Sequence, residues 1–150
     1  MLNHSYLALR KGQSGIMLLE ALIAILIFSI GILAIVGLQA VSIKLAGDAK
    51  YRSDASLLAE ELLGQMWASD RVPANMAANF GSVAAGAGYA AWLSDVQGAL
   101  PGTGAAGNFP TVVVDTTAGT VTTGTTTITV VWQAPNDALS HAHVVVAQIR

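Results

Sequence analysis

The sequence contains no cysteine and very little charge. None of its 150 residues is Cys, which excludes a disulfide framework and thiol chemistry. Charged residues make up 11% of the chain, well below the roughly 25% of an average soluble domain. The chain has seven basic and nine acidic residues. The basic residues form no cluster, so no nucleic-acid partner is expected. Hydrophobic residues reach 53%, which indicates that much of the chain lies in lipid or against other subunits.

Charge is missing altogether from a long N-terminal stretch. Between Lys11 and Lys44 the only charged residue is Glu20, and residues 21–39 carry none. A helix of this length spans about 28 Å, close to the hydrocarbon thickness of a bilayer. The stretch therefore predicts a transmembrane helix, since the apolar core of a secretory signal peptide is shorter. Arg10 and Lys11 precede the stretch and favour a cytoplasmic N-terminus.

Residues 42–70 continue the helical pattern, now with a single apolar stripe. Proline is absent before Pro73, so nothing breaks the helix between the two parts. We expect one helix ending near Trp67 or Asp70, whose outer half packs against the C-terminal residues. The apolar positions recur at helical spacing: Leu45, Ala49, Leu58, Leu62, Leu63 and Met66, with Ala46, Ala55 and Ala59 between them.

Residues 71–110 are rich in Ala, Gly, Asn and Ser and predict mostly loop, with a short helix at Tyr89–Val96. Residues 102–107 (G-T-G-A-A-G) match the letters of a dinucleotide-binding fingerprint. That fingerprint needs a strand before it and a helix after it, whereas Pro101 and Pro110 flank this copy. We therefore interpret it as a turn and expect no nucleotide cofactor.

Residues 111–149 have the composition of a small antiparallel sheet. Thr alternates with apolar residues in the middle run, so one face is predicted to be polar and the other to cover the amphipathic part of the helix. The predicted fold is therefore α+β, with a long helix, first transmembrane and then amphipathic, and a small sheet on its outer half. The predicted strands are Thr111–Asp115, Thr125–Gln133 and His143–Ile149, separated by turns at Ala118-Gly119 and at residues 134–137.

Few side chains suggest chemistry in the C-terminal part. His141 and His143 lie two residues apart, so on a strand they share a face and could hold a metal, with Asp137 as the nearest acid. The simpler interpretation is an exposed strand edge with two imidazoles. Glu60 and Glu61 are expected on a solvated helix face. No nucleophile stands beside a histidine, so we expect no catalytic residue, no metal and no enzymatic activity.

Glu20 is the one acid close to the apolar stretch. A carboxylate inside a membrane helix costs a few kcal/mol and indicates a function. In an intact chain Glu20 would lie at the membrane interface. If the chain were cut after Gly15, Ile16 would become the N-terminus and Glu20 the fifth residue of the new chain. The new α-amine could then pair with Glu20, within one chain or between neighbours, and set the register of packed helices.

The residues around Glu20 resemble the class III leader of type IV prepilins and pseudopilins. The resemblance lies in Lys11-Gly12-Gln13-Ser14-Gly15, then Ile16-Met17-Leu18-Leu19-Glu20 and the uncharged run. It implies that prepilin peptidase cuts after Gly15 on the cytoplasmic side and N-methylates Ile16, and that Glu20 is the acid used in assembly. The implied regions are a leader at 1–15, a transmembrane and assembly helix at 16–41, an amphipathic continuation at 42–70 and a periplasmic loop region and sheet at 71–150.

Further residues resemble PilV-type minor pilins, namely Gly31-Ile32-Leu33, Gly37-Leu38-Gln39 and the R-S-x-A-x-x-L-A pattern of residues 52–59. This resemblance implies a type IV pilin-like fold and a role in pilus biogenesis, adhesion and twitching motility. The implied partners are other minor pilins, the major pilin and, in some members, a tip adhesin. The implied location is the bacterial inner membrane, with a single pass and a periplasmic C-terminal domain, and then the pilus.

The chain departs from the common pilin pattern in three ways. Ile16 and Met17 replace the usual Phe and Thr, the membrane helix has no proline, and no cysteine is present for a C-terminal disulfide loop. The last two favour a minor subunit over the main fibre subunit. Three alternatives stay open: a minor pseudopilin of a type II secretion system, a membrane-anchored enzyme or metal binder using His141 and His143, and an unprocessed single-pass anchor with an unrelated sheet domain.

Overall fold

The computed structural model describes residues 14–105, 107–116 and 124–149. Arg10, Lys11 and the predicted Ala118-Gly119 turn lie outside these residues. The chain has an α+β fold and divides into two compact units, Met1–Lys44 and Leu45–Arg150. Its elements are α1 (Ser14–Ala68), α2 (Pro73–Phe80), α3 (Ala87–Ala99), β1 (Thr111–Asp115), β2 (Gly124–Trp132) and β3 (His141–Ile149).

The first unit contains the uncharged part of α1. Each large apolar side chain from Ile16 to Ile43 exposes between 47% and 74% of its surface. By length and composition α1 is able to cross a membrane. The prediction of one uninterrupted helix that stops between Trp67 and Asp70 is confirmed, because α1 ends at Ala68.

The second unit has one hydrophobic core to which all three helices and all three strands contribute. Residues 51–66 of α1 supply an apolar stripe to this core, which confirms the predicted amphipathic character. Leu45 and Ala49 were predicted to belong to the stripe, and this is wrong because both are exposed. The core begins at Tyr51, so Leu45 and Ala49 lie before the part of α1 that packs against it. The fully buried members of the stripe are Ala55, Ala59, Leu62 and Met66.

Two helices occupy the segment that was predicted to be mostly loop. The loop prediction is wrong for α2, and α3 extends beyond the predicted Tyr89–Val96 at both ends. Each helix turns its few large apolar residues toward the core and leaves Ala, Gly and Asn outside, so the average composition hides the helical pattern. The buried residues are Pro73, Met76 and Phe80 of α2 and Tyr89, Trp92 and Val96 of α3.

Side-chain hydrogen bonds fix these helices to the rest of the second unit. The indole Nε1 of Trp92 donates to the carbonyl oxygen of Leu58 at 2.9 Å, which joins α3 to α1. The Tyr89 hydroxyl donates to the Pro110 carbonyl oxygen at 2.7 Å, and burial raises the pKa of that phenol. Both bonds satisfy polar tips of aromatic residues whose rings are buried.

The connection between α2 and α3 contains a residue with an unfavourable backbone. Ala85 has φ = 51°, in the left-handed region where a Cβ costs about 1–2 kcal/mol. We predict that Ala85→Gly raises the free energy of unfolding by about 0.5–1 kcal/mol. The change relieves the backbone strain, and part of this gain is lost because Gly has more conformational freedom in the unfolded chain. Urea denaturation followed by near-ultraviolet circular dichroism measures this. Ala84→Gly is the control, because Ala84 is the neighbouring residue and does not have a positive φ, and this change should lower stability. Equal effects of the two changes would contradict the prediction.

The three strands form an antiparallel sheet in the order β1-β2-β3. The strand predictions are confirmed: β1 has the predicted bounds, β2 begins and ends one residue earlier, and β3 begins two residues earlier. Burial alternates along β2, with Ile128, Val130 and Trp132 toward the core. The opposite face carries Thr125, Thr127 and Thr129, whereas Thr126 lies on the core-facing side and is buried. Neighbouring strands add exposed valines to that face, so it is less polar than predicted: Val113, Val144 and Val146.

Candidate functional site

The described residues of the leader-like motif, Ser14 to Glu20, lie at the start of α1 in the first unit. Ile16 and Glu20 are four residues apart in the helix, so they share one face at a separation of about one turn, near 5.4 Å along the axis. Both side chains are exposed. An added Cβ at Gly15 would meet nothing within 4 Å, so glycine is not needed there for packing within the described chain.

This arrangement permits one specific interaction. While the Gly15–Ile16 bond is intact, the nitrogen of Ile16 is an uncharged amide. Cleavage would convert that nitrogen into an α-amine on the same helix face as the Glu20 carboxylate. The pair would form a charge-assisted hydrogen bond, which is stronger than a neutral one, and would reduce the cost of placing either charge in an apolar environment.

The described residues of the G-x-G-x-x-G segment, 102–105 and 107, lie in turns and a bend, as the flanking prolines predicted. The segment follows α3 and precedes β1, which reverses the strand-then-helix order of a dinucleotide site. The described glycines have positive φ values: 69° at Gly102, 87° at Gly104 and 89° at Gly107. These three positions therefore favour glycine, because residues with a Cβ rarely adopt such backbone conformations. Glu60 and Glu61 are exposed on α1, as predicted for a solvated face.

His141 and His143 lie on β3, which is an edge strand of the sheet as predicted, and both side chains are on the core-facing side of that strand. Strand register places His141 opposite Trp132 and His143 opposite Val130, and both of those β2 residues are buried. The prediction that both imidazoles share a face is confirmed. The expectation that they are exposed is wrong, because each ring is half-buried on the side where the sheet meets the core.

Two contacts hold the ring of His141. Its Nε2 lies 2.9 Å from Oδ2 of Asp137, the acid that the sequence placed in the preceding turn. The ring also stacks on the indole of Trp132, with centroids 5.7 Å apart and planes 26° from parallel. Asp137 lies near the end of a tight turn, where Asn136 has φ = 68°, so this turn brings the carboxylate back to the start of β3.

His143 has a different environment. Its Nε2 is buried and has no hydrogen-bond partner, which for a polar atom costs about 1–3 kcal/mol. A cavity of about 200 Å³ lies beside it. Within the described residues no group of three or more His, Asp or Glu side chains is arranged to hold a metal ion, so the two-histidine metal hypothesis has no third ligand there. The cavity is lined by Arg52, Trp132, His141, Ala142 and His143.

Arg52 and Trp132 are parts of this cavity that sequence reasoning did not assign to a site. A signal for Trp132 was present, since a two-residue extension of the predicted third strand pairs His141 with it. Arg52 lies on α1, far from β3 in sequence, and only the packing of the second unit brings it to the histidines.

Comparisons of the chain with protein-family models, curated proteins and solved structures found no match. Function is therefore inferred from the residues of the chain and their geometry.

Proposed function

We propose that the chain is a minor pilin with a type IV pilin-like fold, cut after Gly15 and packed through α1 with other minor pilins near the tip of a type IV pilus. The observation that supports this best is the pairing geometry of Ile16 and Glu20 at the start of a helix whose apolar side chains are exposed from Ile16 to Ile43. Such a subunit needs three features in order along the chain. They are a leader-like motif, a membrane-length helix and an α+β unit, and this chain has them in that order.

The exposed apolar surface of α1 limits how such a subunit could assemble. From Ile16 to Ile43 the helix is apolar on all sides and no described residue covers it. A helix of this kind leaves lipid only when other apolar helices take the place of the lipid. Assembly would therefore proceed by helix-bundle packing, with the second unit outside the bundle.

The proposed partners and location follow from this route. Prepilin peptidase would act on the chain as a substrate at the inner membrane, with the N-terminus in the cytoplasm and the second unit in the periplasm. The processed chain would then contact other minor pilins, the major pilin and, where present, a tip adhesin.

Mass spectrometry of the protein from cells with active prepilin peptidase tests this proposal. We predict an N-terminus at methylated Ile16, and an intact leader in the Gly15→Val variant. Gly31→Val is the matched control, because it makes the same change on α1 where an added Cβ also has free space. An intact Met1 in the wild-type chain, or equal processing of both variants, would contradict the proposed cleavage.

A further inference from the structure

We propose that two copies of the chain associate side by side in the membrane through the face of α1 that carries Gln39. Gln39 lies in the first unit, in the part of α1 that is long and apolar enough to cross a membrane. The proposal concerns the chain while it is inserted in a bilayer. It does not depend on cleavage after Gly15 or on a place in a pilus.

The Gln39 amide is a polar group without a partner in its own helix. Ser29 and Ser42 also lie in the apolar part of α1, and each hydroxyl donates to the carbonyl oxygen four residues earlier, at 2.7 and 2.9 Å. These bonds satisfy the two serines within one helix. The Gln39 side chain is exposed and makes no hydrogen bond within the described part of the chain. Its two N–H donors and its oxygen therefore need a partner outside that helix.

Gln39 lies on the membrane side of the first charged residue that follows the apolar part of α1. That residue is Lys44, five residues or about 7.5 Å further along the helix axis. Ala40, Val41 and Ile43 lie between them and continue the apolar surface. Lipid chains offer no hydrogen-bond partner, so a polar side chain here gains free energy by bonding to a neighbouring helix. The amide therefore favours association of α1 with another membrane helix.

A second copy of the chain is the partner that fits this amide. A primary amide donates through its N–H groups and accepts through its oxygen, so it is complementary to another primary amide. Two copies inserted in the same direction have parallel α1 helices, with Gln39 at the same depth in both. In a two-fold pair a residue near the axis faces its own counterpart, so each Gln39 can donate to the oxygen of the other. A partner of different sequence would need a polar residue at that depth, whereas a second copy always has one.

The acid of α1 excludes its own face from such a pair. A Glu20 carboxylate near a two-fold axis would face a second carboxylate, and like charges repel. Glu20 precedes Gln39 by 19 residues, which at 3.6 residues per turn places the two side chains roughly a quarter of a turn apart around the helix. A pair formed through Gln39 therefore leaves Glu20 beside the contact and is compatible with the proposed pairing of Glu20 with an α-amine.

The residues in line with Gln39 form a continuous face for helix packing, which we call the amide seam. Their spacing alternates between four and three residues, the pattern by which two parallel helices pack with a left-handed twist. The four large apolar members expose between 47% and 69% of their surface, so they are available for contact with a second helix. One polar residue among apolar ones fixes the register of such a pair. The amide seam consists of Ala21, Ile25, Phe28, Ile32, Ile35 and Gln39.

Cysteine cross-linking of the full chain in cell membranes tests the proposed face. The chain has no Cys, so a single introduced Cys can form a disulfide only with another molecule. Ile32→Cys lies on the amide seam and should give a covalent dimer on oxidation with copper phenanthroline, because a disulfide needs Cα atoms about 4.4–6.8 Å apart. Ile30→Cys is the matched control, since it lies about 3 Å away in depth and on the opposite side of α1, and it should give little dimer.

Sedimentation equilibrium of the full chain in neutral detergent micelles measures what the amide contributes. Gln39→Leu should lower the association constant of the dimer about three- to twentyfold, the effect expected for loss of interhelical hydrogen bonds in an apolar medium. Gln39→Asn keeps a primary amide and should retain much of the association. Ser42→Ala is the control with little expected effect, because it removes a polar group of the same face that is already bonded within its own helix.

The cross-linked product and the variants together decide between a second copy and other partners. Dimers of the chain from Ile32→Cys, few from Ile30→Cys, and weaker association of Gln39→Leu would support the proposal. A cross-linked product that contains a different protein, equal cross-linking at the two positions, equal effects of Gln39→Leu and Ser42→Ala, a larger oligomer, or a chain that stays monomeric would each overturn it.

Discussion

Replacing Trp92 by alanine is expected to lower the free energy of unfolding of the second unit by about 3–5 kcal/mol. The Trp92 side chain is 1% exposed and lies in the common core, so its removal leaves a cavity among residues of several elements. The change also removes the hydrogen bond to the Leu58 carbonyl oxygen that links α3 to α1. Urea denaturation of the full chain in detergent, followed by near-ultraviolet circular dichroism, measures the loss.

Trp67→Ala is the matched control for this prediction. Trp67 lies near the end of α1 with 45% of its surface exposed, and it is not part of the buried core. Its removal should cost about 1 kcal/mol or less, as is usual for surface positions. Similar losses from both tryptophan variants would show that α3 does not anchor α1 through the Trp92 indole.

Glu20→Val is expected to leave membrane insertion intact and to reduce incorporation into pili by about tenfold or more. The change removes a charge from an apolar helix, which favours insertion. It also removes the proposed partner of the α-amine at Ile16, and a hydrogen bond to a charged group contributes about 1.5–3 kcal/mol. Quantitative mass spectrometry of membrane and sheared-pilus fractions measures both effects in the same cells.

Two controls isolate the carboxylate in this experiment. Glu20→Asp keeps the charge on the same helix face, so it should retain much of the incorporation. Ala24→Val introduces the same side chain as the test variant one turn further along that face, and should have little effect. Unchanged incorporation of the Glu20→Val protein, with processing at Gly15 intact, would remove the pairing role of Glu20.

The parts of the fold with a strong local pattern were predictable from the sequence. Thr-apolar alternation located β2 to within one residue, and the absence of proline before Pro73 allowed α1 to be extended without a break. The apolar periodicity did not identify α2, because Ala and Asn make up most of the surface of that helix. The signal that could have found this helix was the four-residue spacing of Met76 and Phe80.

The candidate sites also differ in how far they could be predicted from the sequence. Gly15, Ile16 and Glu20 lie close together in the sequence, so their positions on one helix could be predicted directly. The cavity beside His143 joins Arg52 on α1 to His143 on β3, so it depends on strand register and on helix–sheet packing. No periodicity within one segment contains that information, which is why the burial of the histidines was predicted wrongly.

The position of β3 at one edge of the sheet has a consequence for handling the protein. β3 is nine residues long, pairs with β2 along its full length and forms one edge of the sheet in the described part of the chain. Its sequence, HAHVVVAQI, contains no Lys, Asp, Glu or Pro, the residues that usually prevent an edge from pairing with another chain. At high concentration this strand is a template for intermolecular β-sheet, so aggregation would begin at residues 141–149 while the helices are still folded.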